Sequence, residues 1–345
     1  MPSSKTTNLD LNVGYAETDR TQSWINGIDD NFRSLDNSLG TIFKAIENAG
    51  IVLSRNVALE DEWSTGAYTI NTSFLTAFKN GAATRFGSYI YIFIGNENSA
   101  GEIYKFNAVK YTLTKLEAEL PLGFNNFKAE QYQGKVFLLG GCVGQVASNL
   151  FYIFDIATEE IEVPDGTLTT AVSNCGSCLI DGYIYLFGGL DENNNKLNTI
   201  LKFNARDYSN SLLATTIPVS IAELTVCSKD NVAYIFGGNS SNKIYKFNSL
   251  DNTISAITAE LPDYVYANKS ILLNNNMYII GGKTNSELLN IIYKFNLENE
   301  TLTLLTFTLP TAVANFALAV TDSYGYLFGG EISTGSSNRI IRFVP

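Results

Sequence analysis

Six stretches of the chain share one ending, an apolar run that stops at glycine. The last glycines of the six runs are 46, 48, 49, 44 and 48 residues apart. A repeat of roughly 40–50 residues that contains several short strands is typical of a β-propeller, in which each repeat forms one four-stranded sheet. The spacing therefore predicts an all-β fold with six such sheets. The runs are Tyr89–Gly95, Lys135–Gly141, Tyr183–Gly189, Val232–Gly238, Met277–Gly282 and Tyr324–Gly330.

The third repeat shows the expected order of strands most clearly. Its first two apolar runs are separated by Asp181-Gly182, and Asp-Gly between two such runs is a strong hairpin signal. A polar loop then leads to a third run, and a fourth follows before the next repeat begins. The four predicted strands lie within Ser173–Ile180, Tyr183–Gly189, Thr199–Asn204 and Ser211–Pro218.

A second marker recurs on the third strand of each repeat, with YKFN as its commonest form. Alternation places its aromatic residues on one face and its lysine on the other. The glycine pair followed by an aromatic-bearing strand resembles the Kelch repeat over roughly residues 65–345, and implies a six-bladed Kelch-like propeller. The chain departs from that pattern because the fourth-strand tryptophan is missing and the first unit has Ile94-Gly95 for Gly-Gly. The recurring phenylalanines are Phe106, Phe154, Phe203, Phe247, Phe295 and Phe343.

The sixth repeat stops before a fourth strand, which must therefore come from elsewhere in the chain. Ser73–Gly95 matches Thr308–Gly330 over 23 residues without a gap. Extending the match backward predicts that Gly66–Thr72 completes the sheet that begins at Asn315. This strand would close the ring and remove its open sheet edges.

The composition limits what the chain does. It contains no histidine, and so lacks the commonest general base and metal ligand. We therefore expect that the protein is not an enzyme and needs no cofactor or metal. The net charge of −11, with no compensating basic stripe, argues against nucleic-acid binding. No apolar run approaches the roughly 18 residues of a membrane-spanning helix, so no membrane insertion is expected.

The four cysteines are interpreted as small core residues: Cys142, Cys175, Cys178 and Cys227. Cys178 and Cys227 each stand eleven residues before the second glycine of their repeats. Cys175 and Cys178 form a CxxC, but on a predicted strand rather than at the helix N-terminus that a redox site requires. A disulfide and a metal or redox role are the alternatives.

Residues 1–58 do not share the repeat and are assigned to a separate segment, with the propeller over residues 59–345. Trp24–Ile46 carries an uninterrupted heptad pattern, which predicts a helix of roughly 34 Å at 1.5 Å per residue. One interpretation is an amphipathic helix docked on the propeller. The narrow stripe, with isoleucine at both core positions, instead favours self-association, as a trimer or higher oligomer. The stripe residues are Ile25, Ile28, Phe32, Leu35, Leu39, Ile42 and Ile46.

Thr6–Leu39 resembles the N-termini of phage tail and fibre proteins, through Thr6-Thr7-Asn8, Tyr15, Asn31-Phe32 and Leu35-Asp36. The resemblance implies that the N-terminus joins a baseplate or other tail protein of a phage, prophage or phage-tail-like particle. The propeller of a homotrimer would then bind a bacterial surface carbohydrate. The implied location is the virion or an extracellular particle, assembled in the bacterial cytoplasm.

Two features are candidates for ligand contact. The loops between second and third strands are long, polar and irregular, as recognition loops on a rigid scaffold often are. The start of each first strand carries a polar residue, with an apolar one two positions earlier, and together these predict two rings at one mouth of the channel. Alternatively, asparagine starts the strand through local side-chain–backbone bonds. The predicted ligand contacts are Asn80, Asn126, Asn174, Glu223, Asn268 (one residue out of register), Asn315, Phe78, Phe124 and Tyr266.

Two other functions compete with particle attachment. A glycan-cleaving tail spike would need two carboxylates roughly 5–9.5 Å apart in a pocket, and Glu223 is the one acid in the predicted polar ring. A Kelch-type protein-binding adaptor would instead carry a cationic or hydrophobic patch on its loops and bind no glycan. The fold alone separates none of these functions.

Overall fold

The computed structural model describes residues 65–345, and the regular structure in this range consists of β-strands with no helix. The proposed heptad seam, from Ile25 to Ile46, lies outside the described residues. The strands are β1 Gly66–Phe78, β2 Ala82–Phe86, β3 Tyr89–Ile94, β4 Gly101–Asn107, β5 Thr112–Leu120, β6 Phe124–Asn125, β7 Lys128–Tyr132, β8 Lys135–Leu139, β9 Cys142–Val143, β10 Val146–Ala147, β11 Phe151–Asp155, β12 Glu160–Glu162, β13 Gly176–Ile180, β14 Tyr183–Phe187, β15 Ile200–Asn204, β16 Asn210–Leu212, β17 Thr225–Lys229, β18 Val232–Phe236, β19 Lys243–Asn248, β20 Thr253–Glu260, β21 Lys269–Leu273, β22 Asn276–Ile280, β23 Ile292–Asn296, β24 Thr301–Leu304, β25 Ala317–Val320, β26 Gly325–Phe328, β27 Glu331–Ile332 and β28 Gly335–Val344.

Antiparallel sheets that contain a four-strand path repeat along the described part of the chain. They are numbered here as sheets 1 to 6, and β27 adds to β28 at the side of sheet 6. A separate small sheet, β6-β9-β10, lies among the loops of sheet 2. The strand orders of sheets 1 to 6 are β2-β3-β4-β5, β7-β8-β11-β12, β13-β14-β15-β16, β17-β18-β19-β20, β21-β22-β23-β24 and β25-β26-β28-β1.

The hairpin predicted in the third repeat is confirmed. Ile180 pairs with Tyr183 across a two-residue turn. Both turn residues, Asp181 and Gly182, have positive φ, at 46° and 72°. Such a turn matches the twist of the strands that it joins, and Asp-Gly tolerates it well. The fourth strand is shorter than the apolar run suggested, covering only Asn210–Leu212.

The strand that completes sheet 6 comes from the start of the described range, where Gly66–Thr72 was expected. Gly66 pairs with Val344 and Thr69 with Ile341, both antiparallel. Among the first strands, β2, β7, β13, β17 and β21 each contact the next first strand along the chain, and β25 contacts β2.

The recurring third-strand phenylalanines form the contacts between sheets. All six are fully buried. Phe154 of sheet 2 packs on Phe93 of sheet 1, with ring centroids 5.4 Å apart. Phe106 of sheet 1 packs in the same way on Phe328 of sheet 6, at 5.5 Å. Each sheet therefore inserts one aromatic ring against the second strand of its predecessor, which explains why this residue recurs at a fixed place.

The glycine pairs mark where one sheet meets the next. Gly188 and Gly189 have φ of 57° and 105°, a region that suits glycine better than any other residue. A Cβ at Gly188 would lie 2.4 Å from the carbonyl oxygen of Ile221, in the linker to the next sheet. The Gly189 amide donates a hydrogen bond of 2.8 Å to that same oxygen. The pair thus permits a close backbone approach that fixes one sheet on the next.

Two of the lysines that recur on the third strand form ion pairs with the neighbouring sheet. Lys105 Nζ lies 2.7 Å from the Glu159 carboxylate in a turn of sheet 2. Lys246 makes the same contact with Glu300, also at 2.7 Å, between sheets 4 and 5. The four cysteines are buried and unpaired, as expected for small core residues. Within residues 65–345, no helix is long and apolar enough to cross a membrane.

Candidate functional site

Five of the six predicted polar-ring residues share the same left-handed backbone conformation. Asn80, Asn126, Asn174, Glu223 and Asn315 all have φ between 50° and 60°. Their peptide groups also join neighbouring sheets. The Glu223 amide donates to the Asn174 carbonyl at 2.8 Å, and the Asn80 amide donates to the Asn315 carbonyl at 2.7 Å. These residues therefore lie side by side where the first strands begin.

This conformation explains why asparagine recurs there. A left-handed backbone is costly for most side chains, and asparagine tolerates it better than they do. The other interpretation from the sequence, a local side-chain–backbone bond, does not apply in the described chain to Asn80, Asn126 or Asn174, whose side chains make no such bond. Asparagine therefore recurs at this position because of the backbone conformation. Its recurrence does not by itself indicate a role in binding.

Asn268 and Tyr266 do not belong to the two rings. In sheet 5 the positive φ, 54°, belongs to Ala267, and the Ala267 amide donates 3.0 Å to the Glu223 carbonyl. Asn268 is one residue further on, with its side chain 2% exposed. Ala267 stands fifteen residues before Gly282, as the other five ring positions stand before their second glycines. Asn268 and Tyr266 are therefore each one residue away from the positions that this count selects. The prediction that Asn268 contacts a ligand at the mouth is wrong because its side chain is in the core.

Two members of the predicted apolar ring are also core residues. Phe78 is 6% exposed and Phe124 is fully buried. Phe124 stacks on Phe127 with centroids 4.6 Å apart. The Phe78 carbonyl, at the end of β1 where the chain leaves for sheet 1, accepts a 2.8 Å hydrogen bond from the Gly330 amide. These positions hold the sheets together, so their side chains are not available to a ligand at the mouth.

A polar group at the start of first strands in sheets 4 to 6, here called the mouth cluster, comprises Glu223, Tyr266, Lys283, Asn315 and Glu331. Lys283 Nζ lies 3.0 Å from Glu331 Oε2, and Asn315 Nδ2 donates to the same oxygen at 2.9 Å. The Lys283 ammonium also lies 5.7 Å from the centre of the Tyr266 ring. Three of the predicted ligand contacts, Glu223, Tyr266 and Asn315, therefore come together here.

The two carboxylates of the mouth cluster have opposite pKa shifts. Burial raises the pKa of Glu223, with the positive charge of Lys283 opposing and the negative charge of Glu331 adding to the rise. Burial also acts to raise the pKa of Glu331, but hydrogen bonds from Lys283 and Asn315 outweigh it and lower that pKa. Sequence reasoning missed Lys283 and Glu331, although both stand directly after a glycine pair. That position pairs with the linker that enters the first strand of the same sheet and so faces the mouth.

The mouth cluster lies on the loop face, defined here as the side that carries the second-to-third-strand loops and the linkers between sheets. These two sets of segments share one side because neighbouring strands run antiparallel. On the sheet 2 part of this face, an open groove of about 530 Å³ is lined by Val143, Val146, Ser148, Thr170 and Glu192.

An exposed apolar patch borders this groove. It consists of Leu122, Val143 and Val146, which are 70%, 43% and 56% exposed. Val143 and Val146 are direct partners across a short hairpin. The Gly144 amide of that hairpin donates 2.9 Å to the carbonyl of Gly123, next to Leu122. This bond and the β9–β10 pairing bring the backbone segments that carry the three side chains close together at the surface.

Consecutive four-stranded antiparallel sheets, with first strands that face a shared centre, define a β-propeller. The family model described as "KLHDC2/KLHL20/DRC7 Kelch-repeats domain" matches residues 60–238 and 174–344. The chain therefore belongs to this Kelch-repeat family, which confirms the resemblance seen in the repeats. No curated protein matches the chain.

Proposed function

We propose that this chain is a non-enzymatic recognition protein, whose Kelch propeller has six blades closed by the β1–β28 pair and binds a protein ligand through the loop face. The exposed apolar patch of Leu122, Val143 and Val146 carries the proposal. A sugar-binding surface built from polar loops does not need three clustered aliphatic side chains, whereas an apolar centre with a polar rim is typical of protein interfaces.

The rest of the loop face suits the same role. The groove beside the patch combines valines with hydroxyl groups and Glu192, so it offers both apolar contact and hydrogen bonds. The mouth cluster adds charged groups on the blades opposite. Loops on a rigid scaffold are where recognition commonly lies, and a propeller holds all of these loops on one side.

The mouth cluster supports binding better than hydrolysis. A glycosidase acid must donate a proton to the leaving group while its partner carboxylate acts at the sugar. Glu331 is already bound to Lys283 and Asn315, an arrangement that fixes its oxygen rather than presenting it to a substrate. We infer that the cluster recognises a polar part of the ligand.

The experiment compares two surface variants of the full-length chain on a displayed peptide library and on a glycan array. The double variant Leu122→Asp/Val146→Asp changes the apolar patch. Leu250→Asp is the matched control, because Leu250 is 75% exposed in the turn between β19 and β20, on the opposite side of the propeller. We expect the wild type and Leu250→Asp to select peptides, and the double variant to lose at least about tenfold in affinity, as loss of apolar hot spots does.

Glycan binding without peptide selection would contradict the proposal, and so would equal loss of binding in Leu250→Asp. Circular dichroism and thermal unfolding of each variant separate lost binding from lost fold.

A second candidate is attachment of a phage or phage-tail-like particle to a bacterial surface carbohydrate, with the chain as a homotrimer on a baseplate. The resemblance of Thr6–Leu39 to tail-protein N-termini and the heptad pattern favour it. Light scattering on the full-length chain tests it. A trimer that becomes a monomer in Ile28→Asp/Leu35→Asp would support the candidate, and a monomeric wild type would exclude it.

A further inference from the structure

A polar cavity lies where the first strands of the sheets meet. Its volume is about 120 Å³, and strands β2, β7, β13, β17, β21 and β25 all contribute to its walls. Small residues such as Gly81, Ala83 and Gly176 leave this space open. The polar side chains at the walls are Lys128, Glu130, Ser177, Thr225, Lys269 and Ser270.

Two lysines reach this cavity from different sheets. Lys128 belongs to β7 of sheet 2, and Lys269 belongs to β21 of sheet 5, three sheets further along. Burial lowers the pKa of Lys269 well below its usual value, and the nearby charge of Lys128 lowers it further. None of the ion pairs in residues 65–345 includes either lysine. The two amino groups are thus close to each other, and neither forms an ion pair with a carboxylate.

The carboxylate in the wall offsets this charge only in part. Glu130 accepts a 2.6 Å hydrogen bond from the Ser177 hydroxyl. Burial raises the pKa of Glu130 to about 7, against the opposing effects of Ser177 and the two lysines. Glu130 is therefore more easily protonated than an exposed glutamate, which reduces its negative charge near neutral pH.

The other groups near Glu130 add no negative charge. Burial raises the pKa values of the Cys175, Cys178 and Cys227 thiols, so all three stay neutral at pH 7. The Thr225 and Ser270 hydroxyls lie 2.9 Å apart and share one hydrogen bond, which leaves one of the two free to donate into the cavity.

We propose that this cavity binds a small oxyanion of phosphate or sulfate size between Lys128 and Lys269. Like charges held close together in a narrow, partly buried cavity are unfavourable unless a counter-charge joins them. A dianion matches two ammonium groups, and its oxygens accept charge-assisted hydrogen bonds from both. The site is separate from the loop-face surface proposed to bind protein, and either proposal can fail without the other.

Binding should depend on pH in a stated direction. Protonation of Glu130 removes the one negative charge in the wall, and protonation of Lys269 adds a positive one. Both changes favour an anion, so affinity for sulfate, whose own charge is constant in this range, should fall as pH rises through about 7, the pKa of Glu130.

The test titrates full-length protein with inorganic phosphate, and separately with sulfate, by calorimetry at constant ionic strength set with chloride. We expect saturable binding of one anion per chain. Lys128→Gln and Lys269→Gln should each weaken it at least about tenfold, because each removes a charged hydrogen bond. Glu130→Gln should tighten it. The control Lys110→Gln, an exposed lysine in the turn between β4 and β5, should leave it unchanged.

Three results would overturn the proposal: no saturable binding by the wild type, an equal loss of affinity in Lys110→Gln, or weaker binding in Glu130→Gln. The Glu130→Gln variant keeps both lysines and the size of the side chain. It therefore decides the question through phosphate-dependent thermal stabilisation even if a lysine variant does not fold.

Discussion

Replacing Asn268 with leucine should make the protein more stable. The Asn268 side chain is 2% exposed, and neither its Oδ1 nor its Nδ2 has a hydrogen-bond partner in the described chain. The corresponding positions before β7, β13 and β17 hold Phe127, Cys175 and Leu224, all buried. Asn268 is therefore a polar residue at an apolar core position, and leucine has the same branching and the same number of side-chain heavy atoms.

The magnitude follows from the two unpaired atoms. A buried polar group without a partner costs about 1–3 kcal/mol, and leucine removes that cost while adding apolar contact. The site is tight, since a Cβ on Gly282 would lie 2.7 Å from the Asn268 Cβ, and overpacking costs about 1–3 kcal/mol when it occurs. We expect a net gain of about 1–2 kcal/mol in the free energy of unfolding, on these same estimates.

Urea unfolding of the full-length protein measures this gain as a higher midpoint with an unchanged slope. The same substitution at Asn315 is the matched control. Asn315 has φ of 52° and donates to Glu331, so Asn315→Leu should destabilise by about 1–2 kcal/mol. If Asn268→Leu also destabilises, the amide has a partner, such as a bound water molecule, and the reasoning is wrong.

Three further predictions concern the backbone, the cavity and the ring. Gly189→Ala, at φ of 105° beside a carbonyl oxygen 2.5 Å from the added Cβ, should destabilise by about 3 kcal/mol in thermal unfolding. Gly87→Ala, where a Cβ would meet open space, should lower stability by only about 1 kcal/mol. Equal losses in the two variants would show that the backbone at Gly189 does not need the space that a Cβ would fill. The pKa of Glu130 is about 7 in the folded protein, above the value of 4.5 for a free glutamate. The free energy of unfolding should therefore fall as pH rises from about 4.5 to 7. Glu130→Gln should flatten that slope, and an unchanged slope would show that another group is responsible. Phe106→Ala, between sheets 1 and 6, should lower the free energy of unfolding by about 3–5 kcal/mol. Phe154→Ala, between sheets 1 and 2, should lower it by as much. A much smaller loss for Phe106→Ala would mean that the ring is open.

The recurring glycines and phenylalanines could be recognised from the sequence because few other residue types fit at their positions. Gly188 permits a backbone approach that a Cβ would block, and Phe154 fills a buried contact between sheets. Neither position tolerates many residue types, so both recur at a regular spacing. The pairing of Gly66–Thr69 with β28, within the predicted Gly66–Thr72, could be anticipated from another signal, because the repeat left one sheet short of a strand.

The candidate site was harder to predict because its residues come together only in the tertiary structure. In sheet 5 the spacing to the glycine pair selects Ala267, which is not polar, and choosing its polar neighbour Asn268 placed a core residue in the ring. The apolar patch depends on β9 and β10, which lie outside the repeat pattern. Alternation along β7 does not reveal that Lys128 and Glu130 reach the same cavity as a lysine from sheet 5. The oligomerisation predicted for Ile25–Ile46 lies outside the described residues and stays a prediction.

The most direct test of loop-face protein recognition is site-specific photo-crosslinking of the full-length chain. A benzoylphenylalanine would replace Val146 on the loop face or, in a second protein, Leu250 on the opposite side, and each would be irradiated in the presence of cells or extract of its source. The account predicts protein adducts at position 146 that unlabelled wild type competes away and that are absent at position 250. Equal adducts at both positions, or none at position 146, would contradict it.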